Sequence, residues 1–215
     1  MNQNLTEIVF ILDRSGSMSG LENDTIGGFN GFVKKQAEAG QTCLTTVLFD
    51  DKYEILHNSV NAAEVVLSEN EYFTRGSTAL LDAVGKTIND VGIRLNATPE
   101  AGRPGKVIFV ITTDGLENAS REYSYNDVKK MITHQHEKYN WDFVFMGANI
   151  DVAEEGDKLG IKVGHSFVFQ ANPLGLKQMF GSASLACLNL RNSGKSDGEN
   201  RDLSHAKQKW KIKTV

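Results

Sequence analysis

The residues best suited to chemistry in this chain are oxygen donors. Asp13, Ser15 and Ser17 alternate in "DRSGSM", Thr78 stands in "GSTAL", and Asp114 in "TTDG". Alternate residues of an extended segment share one side, and Gly16 lets the chain curl so that the first three oxygens converge. Two carboxylates and three hydroxyls, with no cysteine or histidine among them, make a hard donor set. It suits Mg²⁺, Mn²⁺ or Ca²⁺ and argues against zinc. Hydroxyls neutralise little of a dication's charge, so affinity for Mg²⁺ is expected to be weak, on the order of 0.1–1 mM. The under-coordinated ion would then recruit an outside carboxylate or phosphate.

Something must bring these three stretches together. Five apolar residues, Ile8 to Leu12, run straight into Asp13, and a second apolar run, Lys106–Thr112, ends just before Asp114. Strand-like runs at Glu7–Leu12, Cys43–Phe49, Tyr53–His57, Lys106–Thr112, Trp141–Met146 and Ser166–Gln170 alternate with helical stretches at 20–38, 78–94, 124–139, 151–159 and 173–190. That alternation predicts an α/β domain with a mostly parallel sheet. Asp50-Asp51-Lys52 leaves too little chain for a crossover, so the second and third strands form a hairpin and one strand is antiparallel. Ligands of such sheets collect outside the carboxyl ends of the strands, where Asp13 and Asp114 fall; Thr78 opens a helix at the same rim. Gly27, Gly28 and Gly31 weaken the first helix and are expected to serve close packing on the sheet.

Bulk composition narrows the classes. The chain has 215 residues, 40% hydrophobic and 23% charged, with net charge −4, which fits one soluble domain and gives no nucleic-acid footprint. No segment approaches the ~18 apolar residues of a membrane span. The N-terminus lacks basic residues and its apolar run is shorter than the ~7–15 residues of a secretion signal, so a cytoplasmic location is expected. Cys43 and Cys187 are expected to be buried free thiols, and sequons at Asn4, Asn23, Asn96 and Asn118 are then accidental. From Arg191 the composition shifts to seven basic against three acidic residues with little apolar content. Residues 4–190 therefore read as the domain, and 191–215 as a polar, basic, mobile tail.

D-x-S-x-S at 13–17, the threonine of "GSTAL" and the aspartate of "TDG" resemble the metal-ion-dependent adhesion site of von Willebrand factor type A domains, over roughly residues 4–190. "TIGGFNGFVKKQ", "TTVLFDD" and "GANIDVAEEGDKLGI" resemble a bacterial, intracellular, stand-alone branch of that superfamily. The resemblance implies a doubly wound, Rossmann-like six-stranded sheet of order 3-2-1-4-5-6 with the third strand antiparallel and helices on both faces. It also implies that Asp13 lies near the metal, partly through water, while Ser15 and Ser17 ligate directly. Thr78 would ligate directly or through water as the site closes or opens, and Asp114 mainly through water. Ser77 departs from the pattern, which more often has a second glycine before the threonine.

Two functions of different class compete. One is an interaction module, not an enzyme, whose bound cation accepts an Asp or Glu of a protein partner. The other is a phosphohydrolase or phosphotransfer enzyme using Asp13. Phosphotransfer of that kind needs a second acid two residues on, where this chain has Ser15, and no phosphate loop, nucleophile elbow or zinc-protease motif occurs. The module is the better reading. Asp50 and Asp51 are expected as turn residues, Asp151 as a helix cap beside Asn149 at the rim, and Arg14 as a solvated charge. His134 and His136 do not share a helical face and form no metal pair.

Overall fold

Ile8 to Leu12 have no exposed surface, because the strand they build lies inside a sheet covered on both faces. The computed structural model describes residues 1–193. Its strands are β1 (Asn2–Asp13), β2 (Thr42–Phe49), β3 (Tyr53–Asn61), β4 (Pro104–Thr113), β5 (Asp142–Gly147) and β6 (Ser166–Val168). They form one sheet in the order β3-β2-β1-β4-β5-β6, parallel throughout except that β3 runs antiparallel to β2. The helices are α1 (Glu22–Glu38), α2 (Leu80–Ala97), α3 (Tyr125–Tyr139), α4 (Val152–Leu159) and α5 (Pro173–Asn192). This is the doubly wound α/β architecture expected.

Side chains alternate across a strand, so β1 feeds two cores. Ile8, Phe10 and Leu12 enter the layer under α1 and α5, while Val9 and Ile11 enter the one under α2, α3 and α4. Phe10 meets Phe29 and Phe32 of α1 edge-on and stacks on Phe180 of α5, with ring centroids 5.1–6.0 Å apart. Phe109 stacks between Trp141 and Phe143 on the other face. Burying β1 on both sides leaves its carboxyl end as the place where its chain can meet a ligand. The strand order also reverses between β1 and β4 there, which opens a crevice.

Local signals fix the helix ends. Ser124 and Asp127 form a reciprocal capping box at α3, Asp151 caps α4 as expected, and Asn172 caps α5 with Pro173 in its first turn. Asn140 and Gly160 close α3 and α4 in the left-handed conformation. β3 runs four residues past His57, through a bulge where Ser59 takes φ 56° and its N–H donates to the Thr45 hydroxyl. α5 continues to Asn192, and Arg191 donates to Thr42 Oγ1 at 2.5 Å. The rest of the basic stretch, from residue 194, lies outside the described residues. No helix among the described residues is long and apolar enough to cross a membrane.

The glycines of α1 divide differently from the expectation. A Cβ on Gly28 would sit 2.1 Å from the Phe180 ring, so this glycine lets α1 approach α5, not the sheet. Gly27 and Gly31 face open space. Gly28→Ala should therefore destabilise the fold by about 1–3 kcal/mol through overpacking. Gly27→Ala should stabilise it by about 0.5–1 kcal/mol through helix propensity. Urea unfolding of the two variants checks both signs.

Candidate metal centre

β1 carries Asp13 to the carboxyl edge of the sheet, where the side chain is only 1% exposed. One carboxylate oxygen accepts the Ser15 N–H at 2.7 Å, curling the loop back on itself, and the other accepts the Thr113 hydroxyl at 2.7 Å. Ser15 and Ser17 hydroxyls are 3.0 Å apart, and Ser17 donates to Asp114 Oδ1 at 2.5 Å. Tyr72, buried beneath, donates to the Asp13 carbonyl at 2.7 Å. Four of the five residues singled out in the sequence thus lie in one hydrogen-bonded cluster, with Ser17 exposed on its outer side.

Thr78 joins by proximity. A Cβ built on Gly115 would lie 3.7 Å from Ser17 Oγ and 3.8 Å from Thr78 Oγ1, so both hydroxyls border the space over this glycine. Asn118 fixes the Thr78 backbone at both ends: its Oδ1 accepts the Thr78 N–H at 2.9 Å, and its own N–H donates to the Thr78 carbonyl at 3.0 Å. The threonine loop is therefore stitched to the loop after β4. Asn149, left-handed at φ 58°, donates to the Asp114 carbonyl at 3.2 Å and so touches the rim, as expected for it.

Charge is concentrated in a dry place. Burial pushes Asp13 up to about 6, against the pull of the Thr113 and Ser15 hydrogen bonds, and the nearby Asp114 charge adds to the rise. Burial likewise raises Asp114, partly offset by the Ser17 hydroxyl. Two desolvated carboxylates ringed by hydroxyls fit a hard divalent cation, which would neutralise what the protein does not. Among the described residues no group of three or more His, Cys, Asp or Glu could hold a metal, so hydroxyls would have to complete any shell.

Arg14 corrects the sequence reading. It is fully buried: its Nε donates to Asp50 Oδ2 at 3.0 Å and its Nη1 lies 2.8 Å from a Glu54 carboxylate oxygen. Asp50 is also more than a turn residue, being fully buried itself. Burial would raise its carboxyl, but a hydrogen bond from Arg75, the Lys52 N–H and the two guanidinium charges hold it below the usual range. Thr113, Asn118, Arg14 and Asp50 were all missed as contributors, because each acts on a loop distant in sequence and leaves no periodic trace. The one local sign was an arginine beside the Asp-x-Ser-x-Ser pattern, where a solvated charge is the ordinary outcome.

No protein-family model matches the sequence, and no curated protein matches it. Solved structures do. The vWF domain of the type V pili tip protein Mfa5 from Porphyromonas gingivalis aligns with a TM-score of 0.63 at 13% identity, over 92% of this chain and 98% of that one. Proximal thread matrix protein 1 from the mussel byssus, with a zinc-occupied MIDAS motif, gives 0.57 at 17% identity, over 86% and 47%. Manganese-loaded TRAP protein of Plasmodium vivax gives 0.59 at 14% identity, over 83% and 73%. The chain thus spans about half the length of the byssus protein. At such identities the likeness defines the fold, and the fold is that of von Willebrand factor type A domains.

Asp13 offers a direct test of the electrostatics. Its carboxyl titrates above the ordinary 3.8, so its ionised form costs stability at neutral pH, a cost relieved as pH falls through about 6 towards 4. Asp13→Asn removes the charge and keeps both contacts, since the amide can donate to Thr113 Oγ1, whose hydroxyl can turn to the Gly115 carbonyl 3.1 Å away. The metal-free variant should be more stable than wild type at pH 7, by on the order of 1–3 kcal/mol. Thermal unfolding in chelator measures it; a destabilised variant contradicts the account.

Proposed function

We propose that the chain is a metal-dependent protein interaction module. In this reading Asp13, Ser15, Ser17, Thr78 and Asp114 hold a divalent cation, Mg²⁺ or Mn²⁺ with Ca²⁺ as a further candidate. An Asp or Glu of a partner protein completes the shell. The observation that carries it is the cluster Ser15–Ser17–Asp114 beside buried Asp13 at the carboxyl edge of the sheet, with Ser17 open to solvent. Zinc in the byssus protein's MIDAS motif and manganese in the Plasmodium protein show that proteins of this fold take up divalent ions, which supports the reading. A carboxylate on a dication in a partly dry interface is worth far more than a surface ion pair of ~0–1 kcal/mol.

The same reading assigns no catalysis to Asp13. Ser15 stands where a phosphotransfer enzyme needs its second acid, and it is occupied with Ser17. The likeness to a byssus matrix protein and a pilus tip protein points the same way. We place the module in the cytoplasm of a bacterium, within the stand-alone branch that its sequence resembles. Cys43 and Cys187 are both buried free thiols, which accords with a reducing compartment.

A Mg²⁺ or Mn²⁺ series followed by thermal unfolding tests the metal. At ten times its dissociation constant the ion should add about 1.4 kcal/mol, an upward shift of roughly 3–6 °C. Asp13→Asn and the double variant Ser15→Ala, Ser17→Ala should show no shift; equal shifts in variants and wild type would sink the assignment. Partner capture from a cell lysate should vanish in chelator, return with Mg²⁺, and be lost in Thr78→Ala. Metal-independent capture by that variant would overturn the carboxylate bridge.

A further inference from the structure

The proposed ligands come from three loops, after β1, before α2 and after β4, and one buried residue outside the ligand set touches the first two. Asp50 follows β2 directly and has no exposed surface. Its Oδ2 accepts Arg14 Nε at 3.0 Å and Arg75 Nε at 2.7 Å, and its Oδ1 accepts the Lys52 N–H at 2.6 Å. Its backbone carbonyl accepts the Ala79 N–H at 2.9 Å. Arg14 adjoins Asp13 in the chain, Ala79 adjoins Thr78, and Arg75 is three residues before Thr78.

The loops already meet through their backbones. Arg75 N–H donates to the Arg14 carbonyl at 2.9 Å, and Gly16 N–H to the Gly76 carbonyl at 3.2 Å. Gly76 takes φ 67°, and a Cβ on it would lie 2.1 Å from Asp51 Oδ1, so the threonine loop is pressed against the hairpin turn. Holding it there brings two guanidiniums onto one carboxylate oxygen. Phe73 lies beside both, its ring centroid 5.0 Å from Arg75 and 5.7 Å from Arg14. Remove the Asp50 charge and two cations face each other, one of them fully buried, with Glu54 left as Arg14's counter-ion. The cheapest relief is for the loops to part.

We propose that Asp50 is a positioning residue of the metal centre, setting the loop of Asp13, Ser15 and Ser17 at its working distance from the loop of Thr78. The inference rests on the metal reading above. Asp50 touches no ligand oxygen and acts through Arg14, Arg75 and Ala79. Groups that orient ligands in this way typically change metal affinity by about 10–100-fold when altered.

Electron paramagnetic resonance of free Mn²⁺ gives the dissociation constant for the full chain and for Asp50→Asn, Arg75→Ala and Arg75→Lys, with metal-free unfolding midpoints in parallel. Asp50→Asn should weaken Mn²⁺ binding by about tenfold or more. Arg75 is 37% exposed at its side chain, so Arg75→Ala should fold, and should weaken binding by roughly 3–10-fold. Arg75→Lys keeps a cation in reach of Asp50 but loses the guanidinium plane beside Phe73, so it should bind Mn²⁺ more tightly than Arg75→Ala without regaining the full wild-type affinity. Lower midpoints with an unchanged Mn²⁺ constant would make Asp50 merely structural and overturn the inference. Should Asp50→Asn fail to fold, the Arg75 pair decides alone, and equal affinities for alanine and lysine overturn it. A wild-type chain that takes up no Mn²⁺ overturns the metal reading and this one together.

Discussion

A carboxylate at the end of a strand buried on both faces is the constraint around which this molecule is arranged. The Ile8–Leu12 stretch of β1 can be fully apolar only because helices cover both sides of it, and that cover also dries the strand's last residue. Asp13 therefore keeps a charge where charge is expensive, met within the protein by the Ser15 N–H and one threonine hydroxyl. Among the described residues no basic side chain is bonded to it. The nearest arginine, next in sequence, is turned away to Asp50. Had Arg14 pointed inward, its guanidinium would neutralise these carboxylates from within the protein.

The surrounding loops behave as one body for the same reason. Asn118 ties the Thr78 backbone to the loop after β4, and Asp50 ties its neighbours to the hairpin and to Arg14. Glu117 and Asp82 extend the stitching, with Glu117 accepting the Leu81 N–H and Asp82 accepting three successive N–H groups from Arg121 to Tyr123. Hydroxyl ligands contribute little binding energy each, so a centre built on them depends on being assembled in advance.

Much of the fold was legible in the sequence, since its signals are periodic or local. The apolar run before Asp13 marked a buried strand, the three-residue Asp-Asp-Lys link demanded a hairpin, and Asp151 announced its helix. Element ends shifted by a few residues where pairing outran the apolar run, as in β3. The candidate residues could be read because each stands at the end of a legible strand or the start of a legible helix. Their supports could not. Asn118 looked like an accidental sequon and Asp50 like a turn residue, because a hydrogen bond across 40 or 36 residues leaves no mark in either segment alone. Arg14 was misread since burial of an arginine depends on partners elsewhere in the chain. Gly28 was assigned to the sheet when the aromatic ring it accommodates belongs to α5.

The bulge in β3 has a bearing on how the molecule keeps to itself. β3 is a border strand, nine residues long, and a border of that length offers unpaired amide groups to any other chain. Ser59, in left-handed backbone, breaks the regular register there and turns its N–H inward to Thr45. At the opposite border β6 is only three residues long, too short to template a neighbour. Sideways growth of the sheet into polymers is thereby discouraged at both flanks, by a break in register on one side and by sheer shortness on the other.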